Sequence, residues 1–130
     1  MQILQPPGWP RPRGYANGVA AQGRLVFVAG QIGWDATQTI LSDDIVQQVR
    51  QTLANTLAVL REAGARPEHV ARMTWYVTDR REYLARAREL GKAYRTLMGR
   101  HYPAMAVVEV SALMEDRAKV EIETTAVVPK

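Results

Sequence analysis

Few side chains in this sequence could carry out chemistry, and the most suggestive are carboxylates. Glu121 and Glu123 stand two residues apart in Val120-Glu121-Ile122-Glu123. In a strand, alternation puts both on one face and Val120 and Ile122 on the other. A carboxylate beside a cleft is a suitable general base for directing water, a role typically contributing about 10² to 10⁴ in rate. The plainer reading of Glu121 is a solvated strand residue, or an ion-pair partner for Lys119 or Arg117. Other chemistries lack their residues. Cysteine is absent, which removes a thiol nucleophile, a thiolate metal cluster and a disulfide framework. His69 and His101 stand alone, without the paired spacing of metal ligands, so no metal is expected. There is no phosphate-cradling glycine loop with Lys-Ser/Thr, no Gly-x-Ser-x-Gly elbow and no dinucleotide fingerprint.

The elements that must position these groups follow from periodicity. Gly18 to Ala21 and Arg24 to Ala29 read as two strands around Gln22-Gly23, a short hairpin signal. From Ser42 the period changes, and Val46, Val49, Leu53, Leu57 and Leu60 form one helical stripe. Gln47, Gln48, Arg50, Gln51 and Asn55 lie off it. Ser42 or Asp43 is the expected N-cap, and Gly64 with Pro67 beyond supplies the stop. Val70 to Thr78 returns to period two, with Met73, Trp75 and Val77 on one face and Arg72, Thr74 and Tyr76 on the other. A second helix is predicted from about Arg81 to Met98, with Tyr83, Ala87, Leu90, Tyr94 and Leu97 in its stripe and Gly99 as its cap. Ala104 to Val110 and Ala118 to Val128 complete the order β-β-α-β-α-β-β, an α+β fold with two helices on one face of a mixed sheet.

Length and composition bound the rest. A chain of 130 residues fits one domain, 1–130, preceded over 1–14 by an extended arm in which Pro6, Pro7, Pro10 and Pro12 exclude helix. The prolines also interrupt any signal-peptide core, and no segment could span a bilayer, so a soluble cytoplasmic protein is expected. Net charge is +4, with much of the excess between Arg80 and Arg100 at helical spacing. That pattern is a solvated helix face, whereas a nucleic-acid surface would interleave aromatics. Leu25-Val26-Phe27-Val28-Ala29 and Ala106-Val107-Val108 are apolar on both faces, the pattern of strands covered on both sides. Two helices cover one face, and the economical cover for the other is another copy of the chain.

The segments Pro10-x-Pro12-x-Gly14-Tyr15-Ala16-Asn17-Gly18-Val19, Gly30-Gln31-Ile32, and Pro103-Ala104 with Val120-Glu121-Ile122-Glu123 stand out. Together, over about Pro7 to Val128, they resemble the Rid family, the YjgF-type reactive-intermediate deaminases also described as endoribonuclease L-PSP. The resemblance implies the chorismate-mutase-like Rid fold, a homotrimer with ligand clefts between neighbouring subunits, and no cofactor. It implies that Tyr15 closes the cleft, that the Gly30 backbone and Ala106 or Val107 receive the ligand, and that Glu121 directs water. The family usually reads Pro-Ala-Arg where this chain has Pro103-Ala104-Met105, and the arginine is taken to fork onto a substrate carboxylate. Met105 offers neither charge nor donor. A neutral or more apolar imine then suits the pocket better than 2-aminoacrylate, unless Arg13, Arg72 or another arginine enters from elsewhere. The activity implied is hydrolysis of a reactive enamine or imine to a carbonyl compound and ammonia. The alternatives are a non-catalytic metabolite-binding trimer and, as some relatives are described, an endoribonuclease or translation inhibitor. Trp34, Trp75 and Tyr102 read as packing anchors, with Trp9 and Trp34 available as a lid or rim.

Overall fold

Alternation of apolar and polar residues builds the central sheet, and the helical stripes cover one side of it. The computed structural model describes residues 1–130. In chain order the elements are β1 (Gln2–Leu4), β2 (Gly18–Ala20), β3 (Arg24–Ile32), α1 (Ile45–Glu62), β4 (Val70–Val77), α2 (Arg80–Ala85), α3 (Ala87–Met98), β5 (Ala104–Glu109) and β6 (Val120–Val128). The main sheet has the order β3-β6-β4-β5. β6 runs antiparallel to both neighbours, and β4 and β5 are parallel. The architecture is α+β, with a mixed sheet and helices on one face. The core lies between them: Met73, Trp75 and Val77 of β4 and Val120 and Ile122 of β6 are at most 3% exposed, against Val49, Leu53 and Leu60 of α1 at 0%. Full burial of each such side chain stabilises the fold by about 1.5–3 kcal/mol.

Four local readings are corrected. β2 does not form a hairpin with β3; it pairs with β1 through Ile3 opposite Val19. Gly23 has φ 152°, and a Cβ there would meet the Val128 backbone, so this glycine serves the close approach of β3 to the end of β6. The N-cap of α1 is Asp44, whose Oδ2 accepts from the Gln47 N–H at 3.1 Å. Ser42 Oγ accepts from the Asp44 N–H instead, and Asp43 pairs with Arg117.

The second predicted helix is two helices, interrupted at Arg86, so three rather than two cover the sheet. The Arg86 guanidinium donates to Asp44 and to Glu89, joining the break to the start of α1. Gln48, read as lying off the stripe of α1, is 1% exposed. Its Nε2 donates to the Ser42 and Arg117 carbonyls, and its Oε1 accepts from the Lys119 N–H at 2.8 Å. A buried amide with these partners satisfied joins α1 to the entry of β6.

Candidate functional site

The arm from Gln5 to Gly14 leads the chain to the outer edge of β5. There Ala16 bridges Ala104, and its N–H donates to the Pro103 carbonyl at 2.9 Å. This bond sets Tyr15 beside Met105. Both line a cavity of about 530 Å³ between β4–β5 and α2–α3, with Arg13 at its margin.

The helix stripe that packs into the core also forms the opposite wall of this cavity. Tyr83, Leu90 and Tyr94 line it, facing Trp75 of β4. Trp75 meets Tyr83 edge-on at 6.3 Å, and Tyr94 stacks on Tyr102 at 5.7 Å. Trp75 and Tyr102 are therefore lining residues as well as packing anchors. Burial raises the phenol pKa of both Tyr83 and Tyr94, so they stay neutral donors and bring no charge to the wall. No carboxylate lines the cavity, and its two cationic residues are Arg13 and Arg95.

β5 is an edge strand, and its register decides which backbone groups are free. The Val110 N–H donates to the Val77 carbonyl of β4, while the Pro103 carbonyl points outward to Ala16. Alternation then turns the amides of Met105 and Val107 outward, away from β4. Met105 is level with Met73 and Val107 with Trp75, so both side chains face the cavity. Ala106, level with Thr74, is on the other side of the sheet.

That other side carries Gly30 and Glu121. The β3–β6 register shifts between Val28 and Gln31, so Gly30 sits in an irregularity opposite β6. The Glu121 carboxylate lies in the space a side chain at position 30 would occupy: a Cβ built on Gly30 would be 2.8 Å from Glu121 Cδ. The ion-pair role considered for Glu121 is not filled in this chain. Lys119 pairs with Glu82, Arg117 with Asp43, and the second glutamate, Glu123, accepts from Tyr76 Oη at 2.6 Å. This last bond is the main cause that raises the Tyr76 pKa.

The site residues inferred from sequence thus fall into two groups on opposite faces of one sheet. Tyr15, Met105 and Val107 belong to the cavity, and Gly30, Ala106 and Glu121 to the open face. Arg13 reaches the cavity, whereas Arg72 lies on the open face near Phe27 and Glu123. Arg95 was missed by sequence reading, although its spacing of four from Gly91 places both on one side of α3. Trp34 packs on the separate cluster of Ile32, Ile40 and Ala118, and Trp9 is 59% exposed and does not line the cavity, so neither rims it. His69 Nδ1 accepts from the Arg66 N–H, and His101 Nε2 is 2.8 Å from the Val70 carbonyl.

Comparisons with known proteins converge. Residues 10–128 match the family model described as Endoribonuclease L-PSP. A RutC family protein of Synechocystis is 36% identical, the match covering 99% of this chain and 98% of that one. The 2-iminobutanoate/2-iminopropanoate deaminase of Salmonella typhimurium is 33% identical over 87% of this chain and 86% of its own. Among solved structures, a Rid-family protein of unknown function from Yersinia pestis superposes with a TM-score of 0.87 at 30% identity, covering 98% of each chain.

Proposed function

This chain belongs to the endoribonuclease L-PSP family of Rid, YjgF and RutC proteins, and from that membership we propose that it hydrolyses a reactive enamine or imine to a carbonyl compound and ammonia. The observation that carries the reading is the Glu121 carboxylate, held against the Gly30 backbone without an ion-pair partner in its own chain. In the reaction, water adds to the C=N carbon while Glu121 takes one of its protons. Delivery of that proton to nitrogen gives the carbinolamine, and Glu121 then relays the hydroxyl proton to the same nitrogen, so that the carbonyl forms as the C–N bond breaks and ammonia leaves. A water-directing carboxylate is the one strong catalyst this requires. The similarity to a named 2-iminobutanoate/2-iminopropanoate deaminase supports the same reaction class.

The cavity holding Tyr15, Met105 and Val107 binds the substrate, with the outward Val107 amide at the edge of β5 as a donor. Because Glu121 lies on the opposite face, one copy cannot bring both to one ligand. The complete site joins the cavity of one copy to the Gly30–Glu121 pair of another, in a homotrimer. The open face supports this, since Leu25 and Phe27 are 58% and 72% exposed there, an apolar surface suited to a second copy. Position 105 anchors no carboxylate. An acid buried at Met105 without a partner would cost about 3–5 kcal/mol, so a short 2-aminoacrylate-like acid is not the substrate held there.

The test is ammonia release above the spontaneous rate from freshly generated imines, with and without a carboxylate, for wild type and Glu121→Gln. Acceleration that the variant loses supports the deaminase. No acceleration from any imine overturns it and leaves a metabolite-binding trimer. An RNA-cleaving site would need His101 beside Glu121, and within one chain His101 lies on the Val70 carbonyl while Glu121 lies on the open face, so no observation on the single chain favours that reading.

A further inference from the structure

We propose that Arg13 and Arg95 take over the anchoring that Met105 cannot provide, and that the ligand they select is a carboxylate attached to an aromatic or large branched body. This inference rests on the deaminase reading for the reaction, but on the cavity alone for the ligand.

Charge decides the polar end. Both arginines line the cavity, neither forms an ion pair or a side-chain hydrogen bond in the chain, and no acidic residue lines the wall to neutralise them. Arg66, Arg86 and Arg117 each find a carboxylate, whereas Arg13 and Arg95 do not, which leaves both guanidiniums available to a ligand. A guanidinium recognises a planar carboxylate through paired charge-assisted hydrogen bonds. Gly91 helps to place one of them. A Cβ at that position would be 3.2 Å from Arg95 Nη1, so the missing side chain gives the guanidinium room over the helix.

Size and lining decide the rest of the ligand. At about 530 Å³ the cavity falls within the range of pockets that enclose drug-sized ligands, roughly 300–1,000 Å³, and far exceeds the needs of a three-carbon acid. Tyr15, Trp75, Tyr83, Tyr94 and Tyr102 present aromatic surface, and planar or branched apolar groups gain most from such walls. One polar group also lacks a partner: Trp75 is 3% exposed and its Nε1–H has no acceptor, leaving a buried donor on a wall residue. The arginines and the aromatic wall together describe an imine of an aromatic or bulky aliphatic 2-amino acid, bound in a different position from a short acid at residue 105.

Binding and turnover are measured separately. Titration calorimetry compares phenylpyruvate, which has ring and carboxylate, with phenylacetone, which lacks the carboxylate, and pyruvate, which lacks the ring. The probes are offered to wild type, the double variant R13Q/R95Q, and Arg88→Gln as a surface control. Phenylpyruvate is expected to bind at least tenfold more tightly than either relative. The double variant should lose that tenfold for phenylpyruvate and leave phenylacetone unchanged, and Arg88→Gln should change neither. Equal binding of phenylacetone, or an unaltered double variant, overturns the arginine anchor. Equal binding of pyruvate overturns the bulky body. Ammonia release from the phenylalanine-derived and alanine-derived imines is then compared. The ligand class stands if selective binding appears without turnover, and in that case only the deaminase reading fails.

Discussion

The carboxylate of Glu121 occupies the space that the missing side chain of Gly30 leaves open, its Cδ 2.8 Å from the position of a Cβ at residue 30. Gly30→Ala should displace the carboxylate while sparing the fold, because the obstructing atoms are the far end of a flexible side chain. Imine turnover is expected to fall toward that of Glu121→Gln, by about 10² or more. Circular dichroism and the thermal midpoint should stay near wild type.

Met105→Arg places a guanidinium on the cavity wall at the position the resemblance assigns to a carboxylate anchor. Ammonia release from 2-aminoacrylate should rise about tenfold or more, the scale of a charged hydrogen bond of about 1.5–3 kcal/mol. Steady-state rates on short and bulky acids measure the change, and the short acid should gain more.

The two halves of the proposed site can be inactivated in different chains. Gly91→Phe fills the cavity, and Glu121→Gln removes the general base; each variant alone should be nearly inactive. Unfolding and refolding the two together should recover part of the wild-type rate, because some assemblies then pair an intact cavity with an intact carboxylate. Activity of the mixture no greater than the sum of the separate variants would count against a shared site.

Gln48→Met keeps the length of a buried side chain but strands the Lys119 N–H and the Ser42 and Arg117 carbonyls. Each orphaned buried group costs about 1–3 kcal/mol, so a loss of about 3 kcal/mol is expected in urea unfolding.

Asp44 caps α1 and accepts from Arg86, and that hydrogen bond is the main cause lowering its pKa below the usual carboxylate value. A depressed folded pKa adds stability above the unfolded value of about 3.9 that disappears as pH falls through the folded value. Both partners are about a third exposed, so solvent screening keeps the contribution of the pair small. Arg86→Gln should therefore be less stable than wild type at pH 7, with the gap narrowing toward pH 3 when unfolding is compared at both.

Periodicity made β4, α1 and most of β6 legible, because burial on one face writes itself into every second or every third and fourth residue. β1 was not legible: three exposed residues, Gln2–Leu4, carry no period, and only their pairing with Gly18–Ala20 makes them a strand. The break at Arg86 was hidden because arginine is a good helix former, and its bonds to Asp44 and Glu89 cross helix boundaries that sequence spacing does not show. Gln48 misled for a related reason, since an amide reads as surface while two of its three partners, Arg117 and Lys119, come from a distant segment. At the site, motif positions named Tyr15, Gly30 and Glu121, but their division between two faces depends on strand register. The contribution of Arg95 needed the placement of α3 over β5.

Glu121 and the aromatic cavity face away from each other across a single sheet, so on the proposed shared site a lone chain would be half an instrument. Specific activity should therefore depend on how much protein is present, falling as dilution separates the copies. A cell expressing the protein sparsely would lose more than a proportional share of the chemistry, and abundance itself would set a threshold.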